Sequence, residues 1–296
     1  MQELKGSFVA LVTPMKSNGD IDLPALKELV EWHIESGTHG VVSVGTTGES
    51  ATLNFNDHVK VLEKTISYID NKIVAIAGTG ANSTNEAIEL NKAASSIGYE
   101  FALSVTPYYN KPTQMGLESH YKKIADSSEI KNILYNVPSR TACDLKPDTV
   151  NKLINHENIV GIKEAVDDPR RYKTLIEIAN NSSEPFYVLS GDDPTFFDFM
   201  KSGGHGVISV AANVIPVQVA EIAISCLNGN FEDAREINQR YRNLFELLFI
   251  ESNPIPVKWM LKKMSKIDSA IRLPLTQLQE KNHASIEDEM LKFKLL

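Results

Sequence analysis

Cysteine is scarce: Cys143 and Cys226 are the only two in 296 residues. They lie far apart and form no CxxC pair, so neither a disulfide framework nor a thiolate metal site is expected, and a reducing compartment fits. Basic charge is also in deficit, with 30 Lys and Arg against 38 Asp and Glu and a net charge of −8. That balance argues against non-specific nucleic-acid binding, which needs a basic face, but leaves room for a small anion in a locally positive site. No apolar run approaches the ~18 residues of a membrane span. The first six residues lack the long apolar core of a signal peptide. The expectation is a cytoplasmic protein that engages neither membrane nor nucleic acid. The seven histidines are scattered, with no H-x-H or H-E-x-x-H, so no metal is expected. Gly78-Thr79-Gly80-Ala81-Asn82-Ser83 does not complete G-x-G-x-x-G, and Ser50 in Gly48-Glu49-Ser50 does not sit in G-x-S-x-G. Dinucleotide binding and a hydrolase elbow are therefore unsupported.

What the chain does have is regular alternation. Short apolar runs at Phe8–Val12, Gly40–Val44, Ile73–Ala77, Phe101–Val105, Ile133–Tyr135, Ile159–Lys163, Phe186–Leu189 and Gly206–Val210 read as strands buried on both faces. Helical patterns separate them. One runs from Asp22 as N-cap to Gly37, another begins near Asn56, and a third runs from Ser83 or Thr84 to Gly98. Others follow at Gly116–Ser127, Lys146–Ile154, Arg170–Asn180, Pro194–Lys201 and Pro216–Leu227. Eight strand–helix units in about 230 residues predict an α/β fold, a (β/α)8 TIM barrel over residues 1–229. Strand signals then stop. Residues 230–296 read as a C-terminal helical extension, with helices at Phe231–Ser252, Ile255–Met264 and near Ile286–Leu295, packed on the barrel or on a neighbouring subunit.

Such barrels carry their chemistry at the C-terminal ends of the strands. Those positions hold Thr13-Pro14, Gly45-Thr46-Thr47-Gly48-Glu49-Ser50, Thr106-Pro107-Tyr108-Tyr109-Asn110, Tyr135-Asn136-Val137-Pro138-Ser139-Arg140-Thr141, Lys163 and Ser190-Gly191-Asp192-Asp193. Lys163 is the most informative. An ammonium in an apolar strand is costly, so its pKa falls and more of it is free amine, able to form a Schiff base. It can equally lie at the strand end, reaching water or pairing with Glu164. Gly45–Gly48 suits an anion cradle or a plain tight turn. Tyr135 suits a proton shuttle or a core aromatic, and Arg140 a carboxylate fork or a solvated loop residue. Asp192-Asp193 reads as an N-cap before Pro194 rather than a ligand site.

Three segments taken together, Gly45-Thr46-Thr47-Gly48-Glu49, Tyr135-Asn136-Val137-Pro138 and Gly161-Ile162-Lys163-Glu164, resemble the class I pyruvate aldolase family typified by dihydrodipicolinate synthase and N-acetylneuraminate lyase. The resemblance spans nearly the whole chain. The double threonine, Tyr108-Tyr109-Asn110 and Arg140-Thr141 are similar to its dihydrodipicolinate synthase branch. It implies a cofactor-free Schiff-base lyase that condenses pyruvate with L-aspartate 4-semialdehyde in diaminopimelate and lysine biosynthesis. A related sugar-acid aldolase and a non-catalytic carboxylate-binding barrel are the alternatives. Carried residue by residue, the resemblance makes Lys163 the imine-forming amine. It makes Thr46, Tyr135 and Tyr109 the proton relay, with Tyr109 reaching a neighbour's site within a homotetramer of two tight dimers. Thr47, Gly191 and Ile208 match pyruvate contacts, and Arg140 the semialdehyde carboxylate contact. Ser50, Ala51, Phe55, His58, Asn82, Glu86 and Tyr108 match the site where regulated members bind L-lysine. Phe55 departs from the histidine of many of those members.

Overall fold

The computed structural model describes residues 2–296. Eight parallel strands pair in chain order and the last closes on the first. They are β1 (Gly6–Ala10), β2 (Gly40–Ser43), β3 (Val74–Gly78), β4 (Phe101–Val105), β5 (Lys131–Asn136), β6 (Ile159–Glu164), β7 (Tyr187–Ser190) and β8 (Gly206–Ser209). The helices around them are α1 (Leu23–Glu35), α2 (Phe55–Ile69), α3 (Thr84–Ile97), α4 (Gln114–Ala125), α5 (Pro138–Thr141), α6 (Pro147–Leu153), α7 (Pro169–Asn180), α8 (Phe196–Lys201) and α9 (Pro216–Leu227). Beyond them come α10 (Phe231–Leu247), α11 (Ile255–Lys263) and α12 (His283–Lys292). The expected (β/α)8 barrel is present.

Local chemistry sets many of the boundaries. The Asp22 side chain accepts from the Ala25 amide and caps α1, and Ser83 does the same for α3 through Glu86. Gly98 ends α3 at φ +106°, a conformation that only glycine adopts without strain. Strand β1 starts two residues earlier than its apolar run, because Gly6 and Ser7 pair with Gly206 and Val207 and need no apolar side chain to do so. Helix α10 stops at Leu247, short of the expected Ser252. Leu247-Leu248-Phe249-Ile250 puts four apolar residues in a row, which no single helix face can bury. Helix α12 begins and ends about three residues before its expected span.

Alternate residues of the strands point inward. Phe8, Ala10, Val42, Ile76, Phe101, Leu103, Ile133, Leu189 and Ile208 fill the barrel interior. A second apolar layer lies between sheet and helices. It runs without a seam into the C-terminal helices through Leu244, Phe245, Trp259, Met260 and Ile286. Cys143 and Cys226 are both free and buried. Among the described residues no helix is long and apolar enough to cross a membrane.

Candidate active site

Strand register decides which side chains meet. Tyr135 on β5 is the register partner of Lys163 on β6, which in turn pairs with Leu189 on β7. Partners in register share a face, so Lys163 and Tyr135 both point into the mouth of the barrel. The Lys163 Nζ lies 4.3 Å from the centre of the Tyr135 ring. Glu164, the next residue, points the other way. It accepts from Arg171 at 2.8 Å and from Asn136 at 3.0 Å, not from Lys163. The pairing of Lys163 with Glu164 that the sequence allowed is thus excluded by the two-residue period of the strand.

Lys163 is buried. Desolvation lowers its pKa to about 8; Arg140 pushes in the same direction, while Asp193 and Asp192 hold it up. Tyr135 is also buried, and its phenol is pushed up to about 12 by burial, against the charge of Arg140 and a hydrogen bond with Thr46. At neutral pH the site therefore offers a lysine with roughly a tenth of its population as free amine, far more than an exposed lysine has, beside a protonated phenol. Gly191 makes room for that lysine, because a Cβ there would lie 2.8 Å from the Lys163 Cε.

The loop after β2 supplies the next wall. Val44 sits in the left-handed region at φ +53°, rare and strained for a β-branched residue. Gly78 lets it do so, since a Cβ at Gly78 would lie 2.2 Å from the Val44 carbonyl oxygen. This turn presents Gly45, Thr46 and Thr47 to a cavity of about 500 Å³. Lys163, Tyr135, Arg140, Gly191 and Ile208 line the same cavity. Arg140 rides on the four-residue helix α5, a stretch read only as loop in the sequence, and donates to the Asn253 carbonyl at 3.3 Å.

Tyr109 does not join this cluster. It lies 88 % exposed in the loop after β4, at φ +73°. Six of the seven matched effector positions, Ser50, Ala51, Phe55, His58, Glu86 and Tyr108, line a second cavity of about 430 Å³. The seventh, Asn82, instead donates to the Tyr108 carbonyl at 3.3 Å. His58 is buried and hydrogen-bonded to the Gly78 carbonyl oxygen at 2.7 Å.

The acidic pair behaves differently from the expected N-cap. Thr195, not Asp193, precedes α8 as its cap. Asp193 is buried and crosses to the loop after β8, accepting from the Ser209 hydroxyl at 2.5 Å and from the Val210 and Ala211 amides at 2.9 and 3.0 Å. Burial raises its pKa to about 6 in spite of these donors. Asp192 bonds locally to the Thr195 hydroxyl at 2.6 Å.

Several site residues had no signal in the sequence. Phe249, Ile250, Glu251, Ser252 and Asn253 line the Lys163 cavity from the C-terminal part of the chain. The Asn253 amide donates to the Thr47 hydroxyl at 2.9 Å. Only the break in helical pattern at Asn253-Pro254 hints at this turn. Among the described residues no cluster of His, Cys, Asp and Glu is arranged to hold a metal ion.

A desolvated lysine beside a protonated tyrosine, at the C-terminal mouth of a parallel barrel, defines a class I, Schiff-base-forming lyase. Residues 3–292 match the model of the dihydrodipicolinate synthetase family, and the chain belongs to that family. A 4-hydroxy-tetrahydrodipicolinate synthase of Teredinibacter turnerae is 50% identical over 287 residues, covering 97% of this chain and 98% of the relative. One from Coxiella burnetii is 50% identical over 285 residues, 96% of each chain. The crystal structure of the chloride-inhibited dihydrodipicolinate synthase of Acinetobacter baumannii complexed with pyruvate superposes with a TM-score of 0.97 at 48% identity, covering 99% of this chain and all of the other. The enzyme from Cyanidioschyzon merolae with lysine bound superposes with a TM-score of 0.95 at 34% identity over the full length of both.

Proposed function

We propose that this chain condenses pyruvate with L-aspartate 4-semialdehyde, the reaction that makes 4-hydroxy-tetrahydrodipicolinate for diaminopimelate and lysine synthesis. The observation that carries the reading is Lys163, buried and with its pKa lowered to about 8, in register with Tyr135 and facing the Thr46–Thr47 cradle. The near-identical lengths and 50% identity of the synthases it resembles support it.

The Lys163 amine adds to C2 of pyruvate, and proton transfers then expel water and leave an imine. Tyr135, hydrogen-bonded with Thr46, gives and takes those protons; with its pKa at about 12 the phenol is fully protonated at neutral pH and holds a proton to give. Loss of a C3 proton yields an enamine, whose C3 attacks the aldehyde carbon while the aldehyde oxygen takes a proton. The amine of the semialdehyde then attacks C2, closes the ring and returns Lys163 to the free state. One water is lost overall, and no cofactor is required. Thr47 with Gly191 and Ile208 receives pyruvate, its carboxylate on Thr47. Arg140, exposed at the mouth, holds the carboxylate of the second substrate as a bidentate fork.

Tyr109, exposed in one chain, completes the relay of a neighbouring subunit within a homotetramer of two tight dimers. L-Lysine occupies the second cavity as a feedback effector, with Glu86 facing its ammonium. Borohydride reduction in the presence of pyruvate, followed by peptide mass spectrometry, tests the central step. The expected adduct is on Lys163, with turnover of both substrates lost in Lys163→Ala. An adduct on another lysine would overturn the assignment.

A further inference from the structure

Asn253 holds groups assigned to both substrates. Its side-chain amide donates to the Thr47 hydroxyl oxygen at 2.9 Å, and its backbone carbonyl accepts from Arg140 at 3.3 Å. It is buried, and it lines the catalytic cavity and the second cavity alike. Its Oδ1 is also buried and has no protein partner. An unpaired buried acceptor costs free energy, and such groups in a native structure call for a reason.

The chemistry of a hydroxyl supplies one. A threonine hydroxyl both donates and accepts. When its oxygen accepts from Asn253 Nδ2, its single proton is free to point elsewhere, and Thr47 lines the cavity. Turned the other way, the asparagine carbonyl would take the Thr47 proton and leave a bare hydroxyl oxygen facing an incoming carboxylate. Resting on the proposed reaction, we infer that Asn253 is a positioning residue: its amide fixes the polarity of the Thr47 hydroxyl so that it donates to the pyruvate carboxylate. The orphaned Oδ1 is the cost of holding that orientation. The Arg140 contact uses only the backbone carbonyl, so the side chain of Asn253 governs pyruvate and not the second substrate.

Asn253→Asp keeps the shape but replaces the donor with a carboxylate that takes the Thr47 proton and adds charge beside the cradle. Asn253→Ala simply removes the donor. The readout is the pyruvate concentration giving half-maximal borohydride trapping on Lys163, alongside the KM of each substrate and thermal melting. The expected result is a rise of about tenfold or more in half-saturating pyruvate for the aspartate variant and a smaller rise for alanine. The semialdehyde KM should change by less than about threefold, since the backbone carbonyl remains. The Thr47→Val, Asn253→Ala double variant should bind pyruvate no worse than Thr47→Val alone, the signature of two residues acting as a unit. Unchanged pyruvate saturation in folded Asn253→Ala, or fully additive losses in the double variant, overturns the proposal. Absence of any trapped adduct in the wild-type protein would instead remove the reaction on which it rests.

Discussion

Glu49 and Lys258 form an ion pair at 2.5 Å that is sealed from solvent on both sides. Glu49 sits at φ +60° two residues after Thr47, and its other oxygen accepts from the Arg272 amide at 3.0 Å. Lys258 also donates to the Thr13 carbonyl at 3.1 Å. One buried pair thus ties the loops after β1 and β2 to helix α11 and to the segment before α12.

Removing one partner leaves an uncompensated buried charge. Lys258→Met is predicted to destabilise the fold by about 3–5 kcal/mol, and adding Glu49→Gln to recover part of that loss. Urea unfolding measures both. A loss below about 1 kcal/mol in the single variant would show that water reaches the pair.

Gly191→Ala is predicted to impair imine formation. Its Cβ would lie 2.8 Å from Lys163 Cε and 3.0 Å from Ala165 Cβ, so the lysine must shift. Overpacking of this kind costs about 1–3 kcal/mol, or roughly tenfold to hundredfold in trapping rate if it falls on the reacting amine. Stopped borohydride trapping reads the rate; wild-type trapping in the variant contradicts the tight fit.

The pH dependence follows from Lys163. With its pKa near 8, pyruvate trapping should rise about tenfold between pH 7 and 9 and then level off. Arg140→Ala removes a neighbouring positive charge that lowers this pKa, so the rise should move to higher pH while Lys163 still traps pyruvate. The same shift bears on stability. A lysine pKa lowered from 10.5 to about 8 costs stability fully below pH 8, and the cost fades as pH rises toward 10.5. Lys163→Met should therefore be the more stable protein at pH 7, by on the order of 1–3 kcal/mol, and the two should converge above pH 10. A Lys163→Met protein that melts below wild type at pH 7 contradicts this.

Tyr109 is predicted to act in trans. Tyr109→Phe and Lys163→Ala proteins, each nearly inactive, should regain activity when mixed and reassembled, because one hybrid site then holds both intact residues. Verified hybrids with no recovery would assign the exposed Tyr109 to some other task.

L-Lysine is predicted to inhibit the wild-type enzyme and to act less on Glu86→Ala. Titration at fixed pyruvate checks it. No inhibition at millimolar lysine and no heat of binding would empty the second cavity of this role.

The barrel was legible because each strand is buried on both faces and so reads as an unbroken apolar run, as in Phe101–Val105, whose observed bounds match the expected ones. Strand ends were less legible. Gly6 joins β1 through backbone pairing alone, and Glu164 extends β6 by pointing outward to Arg171. The positions of Lys163, Tyr135, Thr46, Thr47 and Arg140 around one cavity could be anticipated from strand-end placement. Asn253 could not, since it reaches Thr47 across 206 positions of sequence. Asp193 shows the same limit: its neighbours in sequence suggest a helix cap, but its partners lie at Ser209, Val210 and Ala211.

The C-terminal segment that lines the cavity is the last part of it to be synthesised. A nascent chain that has emerged only through α9 already contains all eight strands and every residue of the lysine–tyrosine pair. It still lacks Asn253 beside Thr47 and Lys258 beside Glu49. Translation thus delivers the lysine and the Thr46–Thr47 loop early, and the Asn253 and Lys258 side chains that brace that loop late.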